Sequence, residues 1–429
     1  MSVTETTVPE APVEPVEVAA PRAWKAPGLL VFFGLVALFA FGLGGTSGQT
    51  STFVISSSAD RFQIAPIDVP SRATALFLAV VCLLLAAAAV WLAWRRRPIP
   101  AYLSIAFASI WLASFLVWAI AGESISLTGL LSGSLLLAVP LIFGSLSGVL
   151  CERSGVINIA IEGQLLAGAF LSAVVASLTD SVVLGLVAAP LAGLLVGLLL
   201  AVFTIKYYVD QIIVGVTLNI LVIGLTSFLY GRLLSPEQAT WNTPGRLSPF
   251  AIPVLSDIPV LGPVLFRQSV IVYLMYISVA VIQVGLFRSR WGLRVRAVGE
   301  HPAAADTVGI KVNRVRFRNV LMGGAVAGLG GAYFTLGAVG AFGKEMTAGK
   351  GFIALAAMIF GRWSPLGAMF AALLFGFADN LQSLLSIVGT PIPSEFMLMA
   401  PYLATIFAVA GLVGRVRAPA ADGQPYIKS

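Results

Sequence analysis

Apolar and polar positions in this chain are arranged in long blocks, without the short alternation of a strand or a half-buried helix. Runs of about 20 apolar residues recur from end to end, the length a helix needs to cross a hydrocarbon layer. They fall at Gly28–Gly45, Ala73–Trp94, Ala101–Gly122, Leu127–Leu150, Ser181–Ile205, Ile212–Tyr230, Ser269–Phe287, Asn319–Ala341, Leu366–Ile387 and Phe396–Val413. Two more segments, Cys151–Phe170 and Lys344–Gly367, mix apolar residues with charges and amides. Within the second, the apolar run Phe352–Phe360 is too short to span alone. The pattern predicts an all-α, polytopic integral membrane helical bundle of about 11–12 transmembrane segments, with one or two broken or re-entrant helices.

The polar blocks set the organisation. Residues 1–27 carry four glutamates and five prolines with few large apolar side chains, and read as a disordered cytoplasmic tail. Residues 28–126 hold three solid apolar spans and read as an accessory N-terminal extension. From Leu127 small residues and interruptions set in, and residues 127–414 form the main transmembrane domain. Residues 415–429 follow as a C-terminal tail. Basic residues mark the cytoplasmic side at Arg95–Arg97, in the loop Arg288–Arg318, and at Arg415 and Arg417, which places both termini in the cytoplasm. That orientation requires two crossings between Gly343 and Pro391. The short apolar run is then half of a broken helix; a re-entrant hairpin is the alternative and would leave the C-terminus outside.

The loop Arg288–Arg318 holds eight Lys or Arg residues against two acids. Pro302 suits the first position of a helix, Ala303, Ala304 and Ala305 continue it, and Gly309 suits its C′ position. This short helix is either a solvated connector or a docking element for a cytoplasmic partner.

Composition narrows the chemistry. Of the residues, 58% are hydrophobic and 10% charged, and no soluble domain has this balance. The net charge of +7 comes from short loops, with no basic face and interleaved aromatics, so nucleic acid is not a partner. A single histidine, His301, and two cysteines in apolar spans, Cys82 and Cys151, offer no metal site or disulfide framework. No Walker A sequence is present, so nucleotide energy has to come from another subunit.

Candidate path residues lie where polarity enters the apolar blocks. Asn158 and Glu162, four positions apart, share a helix face, and Gln164 follows. A Glu at membrane depth costs about 2.5–3.5 kcal/mol, so it faces a cavity or a partner. These three either line a substrate path or satisfy the backbone of a broken helix. Asn219 makes an interhelical hydrogen bond or a ligand contact. Asp379 and Gln382, three apart, face the bundle interior, toward substrate or another helix. Glu152 and Arg153 read as snorkelling or paired charges, and Trp363 as an interface anchor. The glycines of Asn319–Ala341, and the pair Gly193 and Gly197, call for close helix packing.

Three strings in this order, ERSGVINIAIEGQLLAGAF (Glu152–Phe170), LRVRAVGEHPAAADTVGI (Leu293–Ile310) and MTAGKGFIALAAMIFGRWSPLGA (Met346–Ala368), resemble the permease subunits of bacterial ABC importers. The resemblance is to the branch shared by branched-chain amino acid, simple-sugar and nucleoside systems. It runs from Leu127 to Tyr426, about seven-tenths of the chain, and is strongest to nucleoside-type permeases. It implies a second permease of related fold, two cytoplasmic ATPase subunits that carry ATP and magnesium, an extracellular substrate-binding lipoprotein, and a plasma-membrane location. No cofactor is implied on this chain, which is a permease and not an enzyme. The resemblance also implies that Glu300, Pro302, Ala303, Ala304, Ala305 and Gly309 form the coupling helix. There the family pattern is Glu-Ala-Ala, three residues, then Gly. Ala304, Ala305 and Gly309 fit it, while Ala303 stands in place of the Glu. A competing reading is a proton-coupled secondary transporter in which Glu162 or Asp379 carries the proton.

Overall fold

The computed structural model describes residues 24–56, 60–388, 399 and 417–428. Ten of the described helices are long and apolar enough to cross a membrane, so this is a multi-pass membrane protein. Chain contacts divide these described residues into two compact units, one within 24–52 and 68–124, the other formed by the rest. The expected span Phe396–Val413 lies outside the described residues.

The first unit holds α1 (Lys25–Val36), which widens into π-helical turns as far as Leu43, α2 (Ser71–Trp94) and α3 (Ala101–Ala119). On α2 the buried residues are small: Ala75, Ala79, Cys82, Ala86, Ala89 and Ala93. Their spacing of three and four puts them on one face, where small side chains let neighbouring helices come close. The other face exposes Phe77, Leu84 and Trp91, suited to lipid. Trp111 stacks on Phe115 with centroids 6.0 Å apart and donates its indole N–H to the Phe33 carbonyl at 2.9 Å.

The second unit is built on α4 (Leu127–Glu152), around which α5 (Ile161–Thr179), α6 (Val182–Ala201), α7 (Gln211–Leu229), the single turn α8 (Gln238–Trp241) and α9 (Val270–Arg288) follow in order. Helix α4 is almost wholly enclosed, which a membrane helix achieves only at the centre of a bundle. Two short helices then lead to α12 (Val312–Ala332): α10 (Arg290–Glu300) and α11 (Pro302–Thr307). The chain ends its described helices with α13 (Lys350–Phe360) and α14 (Pro365–Val388).

Glycine sets the tightest contacts. A Cβ on Gly193 of α6 would lie 2.1 Å from the Gly324 carbonyl oxygen, and one on Gly168 of α5 would lie 2.2 Å from that of Gly328. Thus α5, α6 and α12 touch backbone to backbone, as the small-residue spacing predicts.

The loop Arg288–Arg318 contains one helix more than its sequence suggested. Ser289 caps α10 by accepting the Gly292 N–H at 3.1 Å. Gly292, Val295, Val298 and Gly299 form its buried face. Helix α11 follows the sequence expectation. Pro302 occupies its first position, and its end is a Schellman turn: Ile310 N–H donates to Ala305 at 3.0 Å and Gly309 N–H to Asp306 at 2.9 Å. Gly309 has φ +84°, which a glycine adopts without strain.

Candidate functional site

Helix α4 stops at Glu152 and α5 starts at Ile161, so residues 153–160 form a non-helical break. At membrane depth such a break must satisfy its own backbone, and side chains from both sides do so. Asn219 of α7 accepts the Gly163 N–H at 2.8 Å and donates to the Ile159 carbonyl at 2.9 Å. Gln211 accepts the Ile157 N–H at 2.7 Å. Asn158 donates to Ser147 and to Gln164, each at 3.0 Å, and Ser147 donates to Gln164 at 3.2 Å. Asn158, Ser147 and Gln164 have no exposed surface. They form a closed polar network that holds the break in shape. Asn219 is an interhelical hydrogen bond, one of the two readings its sequence allowed.

Glu162 does something different. Its carboxylate accepts from the Thr347 hydroxyl at 2.7 Å and from the backbone N–H groups of Gly349 and Gly351 at 2.8 and 2.6 Å. Those amides belong to the N-terminus of α13, where unpaired donors and the helix dipole favour an anion. Glu162 also stands in the first turn of α5. One carboxylate therefore joins the N-termini of two short-starting helices.

The far end of α13 meets the other end of the break. Arg153 donates to the carbonyls of Trp363 at 2.9 Å and Arg362 at 3.3 Å, and the Trp363 indole donates to Glu152 at 2.6 Å. The expected interface anchor Trp363 is thus buried, 6% exposed, because its N–H meets the carboxylate that ends α4. Eleven residues of α13 cover about 16 Å. Glu162 and the Arg153–Trp363 contact therefore lie about one length of α13 apart, and α13 braces the break at both ends.

Asp379 of α14 joins this cluster through Lys350, whose ammonium lies 3.1 Å from its carboxylate. Lys350 was not among the residues singled out from sequence. The signal for it was a lysine at the head of an apolar run. Gln382 lies one turn further along α14 and bonds to Ser386 at 3.3 Å, away from the Asn158 network.

The residues expected to form the coupling helix lie together at the opposite edge of the break. A Cβ on Gly299 would be 2.3 Å from the Arg153 carbonyl, so the end of α10 rests on the break itself. Ala305 packs inward with Val298 and Val312, leaving Ala303 and Ala304 exposed. Residues 417–428 pack on the same region, which nothing in the sequence foretold. Ala421 N–H donates to Gly299 at 2.9 Å, Ala420 N–H to the Glu300 carboxylate at 3.3 Å, and Arg316 to the Gln424 carbonyl at 2.6 Å. Burial of Asp422 beside Glu152 pushes its carboxyl up to about 7. Among the described residues no group of three or more His, Cys, Asp or Glu is placed to hold a metal ion.

The N-termini of a full-length helix, α5, and a short one, α13, meet on one carboxylate beside a broken segment, the arrangement of a broken-helix membrane transporter. Residues 130–413 match the family described as branched-chain amino acid transport system/permease component, and the chain belongs to that family. It is similar to the guanosine ABC transporter permease protein NupQ of Bacillus subtilis, 43% identical over 69% of this chain and 95% of the relative. It is also similar to the nucleoside ABC transporter permease protein NupC of Lactococcus lactis, 40% identical over 70% of this chain and 97% of the relative. The guanosine ABC transporter permease protein NupP of Bacillus subtilis is 25% identical over 66% of this chain and 83% of its own length. No solved structure matches the chain.

Proposed function

We propose that this chain is the membrane-spanning permease subunit of an ATP-driven importer and moves a nucleoside across the plasma membrane by alternating access. The observation that carries this reading is the Glu162 junction: two helix N-termini joined beside a broken segment, on whose other end, at Arg153, the loop that carries α10 and α11 rests. In this reading Ala303 and Ala304 present α11 to a cytoplasmic ATPase, and Glu300, Pro302, Ala305 and Gly309 shape it. ATP and magnesium reside on that partner. A second permease of related sequence completes the path, as the presence of both NupQ and NupP in one organism supports. An extracellular binding lipoprotein delivers substrate. Both termini are cytoplasmic. Asp379 and Gln382 face the path, while Asn158, Gln164, Asn219 and Glu162 hold its broken walls.

Reconstitution tests this directly. Proteoliposomes containing the permease pair, the ATPase and the binding protein should take up guanosine only with internal or external ATP on the ATPase side. Uptake driven by a proton gradient without ATPase subunits would instead support the secondary-transporter reading, with Asp379 as the proton carrier.

A further inference from the structure

Among the described residues, the polar side chains near the Glu162 junction are mostly consumed by one another. Asn158, Ser147, Gln164, Glu162, Thr347 and Asn219 are buried and hydrogen-bonded. Asn380 donates to the Leu130 carbonyl at 2.7 Å. The ion pair Lys350–Asp379, which adjoins the junction through the start of α13, keeps accessible surface, with side chains 20% and 38% exposed. Two rulers place it. Lys350 opens α13, about 15 Å along that helix from Phe360, and Asp379 lies about 21 Å along α14 from Pro365.

The pair is costly where it stands. Charged residues within a bilayer each cost about 2.5–3.5 kcal/mol at the helix centre, and a lysine in a first helical turn opposes the helix dipole. A purely structural link between α13 and α14 would be made as well by apolar packing. Lys350 also occupies only one carboxylate oxygen, Oδ2. Among the described residues Oδ1 has no donor, and Gln382, Ser383 and Ser386 continue a polar stripe from it along α14. A carboxylate with one oxygen free and its charge balanced by an ammonium is suited to a neutral ligand rich in hydroxyls. It accepts from two adjacent O–H groups, and the ammonium donates to one of their oxygens.

We propose that Lys350 and Asp379 are specificity-determining residues that recognise a vicinal diol on the transported molecule, the 2′,3′-diol of a ribonucleoside. This deepens the reading of the chain as a nucleoside permease and rests on it for the identity of the diol. A hexose carries the same chemistry, and the test separates the two sources.

The complete importer in proteoliposomes is assayed with guanosine, 2′,3′-dideoxyguanosine, glucose and leucine. Each variant is scored against wild type for the same substrate, so that selection by the binding protein cancels. Asp379→Asn should lower guanosine uptake by about tenfold or more, the scale of a lost charged hydrogen bond, and change dideoxyguanosine uptake little. Equal losses for both nucleosides would overturn the proposal, as would restored guanosine uptake in the charge-swapped double variant K350D/D379K, which a structural pair would tolerate. Where Asp379→Asn does not fold, Gln382→Cys with Asp379 intact is labelled by a water-soluble maleimide. Guanosine should protect it and dideoxyguanosine should not, and absence of protection by guanosine overturns the proposal. Wild-type uptake of glucose but no nucleoside refutes the nucleoside reading alone; D379N/wild-type ratios for glucose and a dideoxyhexose then decide the diol proposal. Uptake of leucine alone refutes both.

Discussion

Glu162 and Gly351 come from opposite halves of the second unit, yet the Glu162 carboxylate accepts the Gly351 N–H at 2.6 Å. With Thr347 and Gly349 also donating, both oxygens are in use. Glutamine has one carbonyl oxygen and an NH₂ group, so Glu162→Gln turns a donor toward the amides of α13. Each buried donor left unpaired costs about 1–3 kcal/mol. Glu162→Gln should therefore lower the melting temperature of the detergent-purified permease, and Glu162→Ala more so. An unchanged melting temperature in Glu162→Gln would refute the capping role.

The contact of α5, α6 and α12 leaves no room for a side chain at Gly328, where a Cβ would lie 2.3 Å from the Ala189 carbonyl oxygen. Gly224 on α7 has nothing within 4 Å of the same position. Gly328→Val should destabilise by at least about 1–3 kcal/mol, the range for overpacked cores, because the obstacle is backbone. Gly224→Val should be close to neutral. Equal melting temperatures for the two variants would show that the close approach is not required.

What was legible in the sequence follows from the size of each signal. Spans were visible because about 20 apolar residues in a row have few other uses, and α11 because Pro302 and Gly309 bracket it with opposite backbone demands. Helix α10 was hidden: its buried positions include Gly292 and Gly299, which carry no apolar signal. Asn158, Glu162 and Gln164 were found as polar residues in an apolar setting, but their partners could not be read. Ser147, Thr347 and the amides of Gly349 and Gly351 are brought to them by the fold alone. Lys350 was overlooked because it borders a polar loop, and its ion pair depends on the path of α14. The docking of residues 417–428 rests largely on backbone carbonyls and amides, groups that every residue has.

Asp422 makes that docking sensitive to pH. In place, its carboxyl is pushed up from 3.8 to about 7 by burial, which outweighs the opposing hydrogen bond with Glu152 at the end of α4 and the charge of Arg316 on α12. The docked state then binds the proton more tightly than the released one. Docking is strongest below the free value and weakens as pH rises from 3.8 through about 7. Hydrogen exchange at Ala421, whose N–H donates to Gly299, should be less protected at pH 8 than at pH 5 after correction for the chemical rate. Asp422→Asn should reduce the difference. Identical protection at both pH values in the parent chain would refute this coupling.

Helix α11 separates a docking surface from the residues that hold it. Ala303 and Ala304 are exposed, whereas Ala305 is packed against Val298 and Val312. Gly309, at φ +84° and donating its N–H to Asp306, closes the helix. Replacing Ala303 and Ala304 by glutamate changes only the outward face. In the proposed importer it should leave the melting temperature unaltered and cut ATP-driven uptake by about tenfold or more, as loss of a central contact does. The ATPase should also co-purify less. Gly309→Pro forces φ near −65° and removes that N–H, so it should lower both stability and uptake. The contrast is what identifies the surface. If the double glutamate variant transports at the parental rate at equal expression, α11 is a connector, and the ATPase meets the permease elsewhere.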